Sequence, residues 1–158
     1  MLKQIPSLIK PNNLCFDGKG VVNMYNTFSK YLKLVESIKK GDLIDTPNKT
    51  PAKVKCVIRT ECKNHRVKFA ALKSGLLITP FHPIKINGKW IYPADIARTY
   101  DIVADYTYNF VLESDHSVII NNTECATLGH EVYGDKEIIS VLEHMNGWNE
   151  GLITFSPQ

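Results

Sequence analysis

The sequence predicts an all-β protein, mainly strands with one helix near its C-terminus, and three observations carry that expectation. β-Branched and aromatic residues concentrate in short runs. Turn signals separate those runs: Asp17-Gly18, Lys40-Gly41-Asp42, Asn87-Gly88 and Asn121-Asn122. Apolar residues recur at helical spacing over one stretch only, between Asp135 and Met145. Many short strands between such turns indicate a sandwich- or barrel-type domain. At 158 residues the chain has the length of one domain with a sizeable core.

Residues 1–14 are polar and broken by Pro6 and Pro11, so they read as a flank ahead of a single domain over 15–158. Strands are expected at 20–25, 31–38, 52–60, 66–72, 75–79, 84–86, 105–113, 116–121 and 152–155. In the third of these, Lys53 and Lys55 alternate with apolar residues and mark a solvated face. Asn87-Gly88, between Pro83-Ile-Lys-Ile86 and Lys89-Trp-Ile-Tyr92, is the strongest hairpin signal. Pro93-Ala-Asp-Ile-Ala97 suits a single helical turn. Ile138, Val141, Leu142 and Met145 then predict an amphipathic helix over about 135–146, with Asp135 as N-cap and Gly147 as its stop.

Several function classes are disfavoured by composition. The net charge of +3 is spread along the chain, without the basic stripe and interleaved aromatics that nucleic-acid binding requires. No run approaches the ~20 apolar residues that span a bilayer. Residues 1–14 lack a secretory pattern, because Pro6, Lys10 and Pro11 interrupt any apolar segment. The cysteines at 15, 56, 62 and 125 are therefore expected to be free thiols of an intracellular, monomeric protein. That leaves reactivity or metal binding as their role.

Cys15 opens the β-rich region directly after the polar flank. A thiol there can attack the Leu14 carbonyl through a five-membered ring, giving a thioester and freeing its own amine. Such a step needs a distorted peptide bond and a proton for the departing nitrogen. His82 is the candidate acid, an imidazole expected to titrate near working pH and framed by Pro80 and Pro83. Thr79, three residues earlier, is placed to steer the strained carbonyl. The alternative is a buried structural cysteine and a satisfied core histidine. His116, with Asp115 beside it, forms a second candidate acid/base group, or else a turn histidine bonded to its own backbone. Cys125 is a candidate second nucleophile or a core residue, and His130 and Asn121 are candidate supporting groups.

Cys15-Phe16, Ile38-Lys-Lys-Gly-Asp42, Leu77-Ile-Thr-Pro-Phe-His82 and Tyr108-Asn-Phe-Val-Leu-Glu113, with His116 and Asn121, together resemble a Hint domain. That is the Hedgehog/intein autoprocessing superfamily. Pro83, Trp90, Tyr92-Pro-Ala94 and Cys125-Ala-Thr-Leu-Gly-His130 resemble most the Vint branch, found beside von Willebrand A domains. The resemblance implies a horseshoe-shaped β-fold with pseudo-twofold halves and a central active site. It implies Cys15 as first nucleophile, Thr79 and His82 as the pair of the second motif, and His116 as the histidine of the later one.

The chain also departs from the family's patterns. Inteins end in a His-Asn pair followed by Cys, Ser or Thr, and Asn121-Asn-Thr-Glu-Cys-Ala-Thr127 has no such step. Between the first two motifs, where Hedgehog domains use an acidic residue, stand Cys56, Arg59, Glu61 and Cys62. The expectation is an N-to-S acyl shift at Cys15, followed by cleavage or transfer of the N-terminal flank rather than full splicing. The flank is the substrate and the acceptor is water, a thiol or an amine. No cofactor is called for. Two alternatives are a metal-binding module, with Cys56, Cys62 and His65 completed by His82, His116, Cys125 or His130, and a Hint fold kept for interaction alone.

Overall fold

In the computed structural model, residues 14–133 and 138–157 are described. Its strands, in chain order, are β1 (Phe16–Asp17), β2 (Val21–Met24), β3 (Tyr31–Leu34), β4 (Leu43–Asp45), β5 (Pro51–Glu61), β6 (Arg66–Ala71) and β7 (Leu77–Ile78). There follow β8 (Ile84–Ile86), β9 (Lys89–Ile91), β10 (Thr99–Val103), β11 (Tyr106–Leu112), β12 (Ser117–Ile120), β13 (Thr123–Ala126) and β14 (Leu152–Phe155). Among the described residues, the α-helix α1 (Ile138–Leu142) precedes β14.

The turn residues set the hairpins. Asn87 and Gly88 take φ of 50° and 78° between β8 and β9, and Asn121 and Asn122 take 48° and 61° between β12 and β13. Two consecutive left-handed residues match the twist of paired strands, and asparagine and glycine reach that region at least cost. The hairpins join into a 14-stranded sheet ordered β10-β6-β7-β1-β11-β5-β4-β2-β12-β13-β8-β9, with β3 on β2 and β14 running parallel to β5.

The 11-residue β5 joins the two halves of this order, pairing with β4 at its start and with β11 from Val54 to Glu61. A register shift opposite Val111 and Leu112 leaves Lys55 without a partner on β11. Beyond that bulge the strand turns its side chains. Ala52, Val54 and Val57 face the main core, while Cys56 and Ile58 face a second cluster with Leu128, Ile138, Leu142 and Ile153. Helix α1 and β14 therefore cover the outer face of β5.

Some sequence expectations shift in the structure. The run 31–38 is a strand only to Leu34, because Val35–Ser37 tightens into a 3-10 turn whose Val35 and Glu36 amides donate to Gly20 and Gly18. The helix is shorter than 135–146 within the described residues, where it covers 138–142 and gives way to turns. Asp135, expected as its cap, lies outside the described residues. Strands β1, β4, β10 and β13 had no separate signal. β10 is an exposed edge strand, so no core face imposes apolar alternation on it. The helical turn at Pro93 is present as a 3-10 segment over Pro93–Asp95.

Candidate functional site

A strand of two residues holds the site. β1 lies between β7 and β11, with Phe16 opposite both Ile78 and Tyr108. The ladder runs one residue past each strand end, so Cys15 meets Thr79. The Thr79 N–H donates to the Cys15 carbonyl at 3.0 Å. The Cys15 N–H in turn donates to the Thr79 hydroxyl oxygen at 2.9 Å.

The other half of the Leu14–Cys15 peptide is gripped from β11. Asn109 donates from Nδ2 to the Leu14 carbonyl oxygen at 2.7 Å. Its Oδ1 accepts the Phe110 N–H at 2.8 Å, which fixes the orientation of the amide. Both atoms through which a peptide bond can be strained or polarised thus have a buried side-chain partner.

His82 reaches this centre through a turn. Its N–H donates to the Thr79 carbonyl at 3.2 Å, while Pro80 is tied by the Ala94 N–H at 3.0 Å. The imidazole is fully buried, tilted over the Phe16 ring with centroids 4.4 Å apart. Nε2 lies 2.6 Å from the Ala126 carbonyl oxygen, an acceptor only, so Nε2 carries the proton and Nδ1 is the basic nitrogen. Burial lowers the His82 pKa to about 4, against a smaller opposing pull from the Ala126 bond. This corrects the expectation of a histidine poised near working pH: His82 rests neutral.

Burial also pushes the Cys15 thiol up to about 12, opposed by the Thr107 hydroxyl and the Leu14 backbone. The resting pair is therefore a neutral thiol and a neutral imidazole.

The second candidate group lies next to this centre rather than in it. His116 carries a left-handed backbone, φ 48°, and its carbonyl accepts the Thr127 N–H at 2.9 Å. Its neighbour Ser117 pairs with Ala126, whose carbonyl binds His82. The His116 Nδ1 is buried without a hydrogen-bond partner. Asp115 does not serve His116, since its carboxylate accepts from Asn48 and Thr50 at 3.3 Å each.

His130 packs edge-on to Trp90 at 4.7 Å and accepts the Val132 N–H at Nδ1. Burial, then His116, lowers its pKa. Cys125 is a core residue: its thiol donates to the Thr123 carbonyl at 3.4 Å, and burial raises its pKa. Asn121 works as a staple, accepting the Val21 N–H and donating to the Ser74 carbonyl.

The metal alternative loses its ligand set. Cys56 sits in the outer cluster, Cys62 packs with Val67 and Phe69, and His65 is exposed and hydrogen-bonded through Nδ1 to the Asp105 carboxylate. Among the described residues no three His, Cys, Asp or Glu side chains converge to hold a metal ion. The four cysteines are free and buried. No helix among the described residues is long and apolar enough to cross a membrane.

Asn109 and Thr107 were not singled out from the sequence. Their signal was present in Tyr106-Thr-Tyr-Asn-Phe-Val-Leu112, where two polar residues occupy one face of a strand whose interior is buried throughout. A buried asparagine there must find a partner.

Known proteins resemble this chain in family and in fold. The family model described as Vint, a Hint domain, matches residues 14–155. The solved gp41-1 intein aligns with a TM-score of 0.53 at 13% identity, covering 72% of this chain and 98% of that one. A bacterial intein-like domain from Clostridium thermocellum gives a TM-score of 0.54 at 15% identity, covering 72% of this chain and 99% of its own. At those identities the likeness is one of fold. No curated protein matches the sequence significantly.

Proposed function

The chain belongs to the Vint family of Hint domains, an autoprocessing type, and from that membership we propose that it breaks its own Leu14–Cys15 bond by an N-to-S acyl shift. The observation that carries this reading is the double grip on that one amide: Asn109 on the oxygen at 2.7 Å and Thr79 on the N–H at 2.9 Å.

The roles follow from the chemistry of the step. Cys15 Sγ attacks the Leu14 carbonyl carbon, and charge builds on the Leu14 oxygen where the Asn109 amide already donates. The thiol proton passes to a base; the basic nitrogen of His82 is Nδ1, since Nε2 donates to the Ala126 carbonyl, and its low proton affinity makes this transfer the uphill part of the step. The C–N bond breaks as the nitrogen takes a proton, leaving a Leu14 thioester on Cys15 and a free Cys15 amine. An imidazolium whose pKa is held near 4 is a strong acid for that protonation. Thr79 keeps the departing nitrogen oriented throughout.

The thioester then passes its acyl group to water, a thiol or an amine. Cleavage or transfer fits better than splicing, because the Asn121 amide is spent on β2 and on Ser74. The substrate is the chain's own flank, so the reaction turns over once.

The test is a bulky N-terminal fusion. Hydroxylamine or dithiothreitol should release the flank as an adduct of defined mass, with the break after Leu14, and Cys15→Ala should abolish release. A wild-type fusion that stays intact through prolonged thiol treatment would sink the activity.

A further inference from the structure

We propose that Thr107 is a positioning residue for the nucleophile: its hydroxyl donates to the Cys15 sulfur as the thiol gives up its proton, and holds that sulfur toward the Leu14 carbonyl carbon. This role rests on the self-processing reading and adds a residue to it.

The placement follows from the ladder. Thr107 pairs with Asp17, and Tyr108 pairs with Phe16. Alternation along β11 therefore puts Thr107 and Asn109 on one face, two residues apart, alongside Cys15. Asn109 takes the Leu14 oxygen from this face. Thr107 is the next side chain along the same row, and its hydroxyl lies beside the Cys15 thiol.

Thr107 is fully buried, and in the resting structure no group meets its Oγ1 at hydrogen-bond geometry. A buried hydroxyl without a partner is destabilising, and valine would fill the same space without that cost. The sulfur is the group near it whose hydrogen-bonding capacity grows during the reaction. A thiolate accepts far more strongly than a thiol, so the Thr107 bond forms where charge appears.

Atoms balance without any further reactant. The S–C bond forms and the C–N bond breaks, the thiol proton leaves through the base and the nitrogen gains one, while Thr107 keeps its own proton throughout.

The fusion protein tests this with Thr107→Val and Thr107→Ser. Valine should slow flank release by about tenfold to a hundredfold, the range for a hydrogen bond to a charged group, and serine should restore most of it. A second readout is the pH profile of release: its rise with Cys15 ionisation should move to higher pH in Thr107→Val, because the thiolate loses its donor, and return in Thr107→Ser. Release within twofold of wild type in the valine variant would overturn the role. So would slow release that serine does not rescue with an unmoved pH profile, which marks a packing defect. If the wild type itself releases no flank, the self-processing reading fails and the role with it; unaltered variants beside an active wild type remove only the role.

Discussion

Asn109 sets the sharpest expectation at the scale of single residues. Its Nδ2 already donates to the oxygen on which charge would develop, and its Oδ1 is anchored to the Phe110 N–H. Removing one such donor typically slows catalysis by about a hundredfold to a thousandfold. Asn109→Ala should therefore lower the release rate by roughly that factor while the fold persists, measured by fusion cleavage beside circular dichroism. Release at the wild-type rate would show that the bond holds Leu14 structurally and no more. Thr79→Val should also slow the reaction, because the Cys15 N–H would lose its acceptor, whereas Thr79→Ser retains it. The sequence singled out Cys15, Thr79 and His82 as candidates through residue type and order. It did not show Asn109, whose role depends on a strand pairing that no local pattern encodes.

Among the elements, the link into β14 is the most constrained. Gly147 has φ of 97°, and a Cβ there would come within 2.1 Å of the Leu152 carbonyl oxygen. Neither the backbone conformation nor the space tolerates a side chain. β14 is held parallel to β5 through Leu152–Phe155 and packs Ile153 into the outer cluster with α1. Gly147→Ala should lower stability by about 2 kcal/mol or more, the scale of strain plus displaced packing. Denaturant unfolding of the Cys15→Ala background would show it, and an unchanged midpoint would refute it. The glycine was legible as a helix stop. The early end of the helix at Leu142 was not, because Met145 continues the apolar spacing while the chain already turns toward β14.

Taken as a whole, the molecule buries neutral groups that ionise on either side of neutrality, and this gives its stability a pH window. His82 falls from 6.5 to about 4 on folding. Between those values the unfolded chain binds more protons, so the stabilisation is complete above pH 6.5 and is lost as pH falls through 4. At ~1.4 kcal/mol per unit the loss is roughly 3 kcal/mol. Cys15 rises from 9.0 to about 12, so its contribution is complete below pH 9 and is lost as pH rises toward 12. Urea unfolding of Cys15→Ala at pH 4 and pH 7.5 should differ by that acid-side amount, and a further His82→Gln change should remove most of the difference. Superimposable curves at the two pH values would overturn the assignment of a neutral, buried His82. On the alkaline side, the protein that keeps Cys15 should lose stability more steeply above pH 9 than Cys15→Ala.

The sequence by itself determined the β class, the hairpins at Asn87-Gly88 and Asn121-Asn122, and the order Cys15, Thr79, His82 that marks the family. These depend on turn chemistry and on residue types at fixed spacing, which are local properties. Only the tertiary structure decided that β1 sits between β7 and β11. From that follow the grip of Asn109 on Leu14, the burial that neutralises His82 and Cys15, and the placing of Thr107 beside the sulfur. Strand neighbours across a curled sheet are set by how the whole core closes, and a pKa is set by the solvent that closure removes. Neither quantity exists until residues far apart in the chain have packed together.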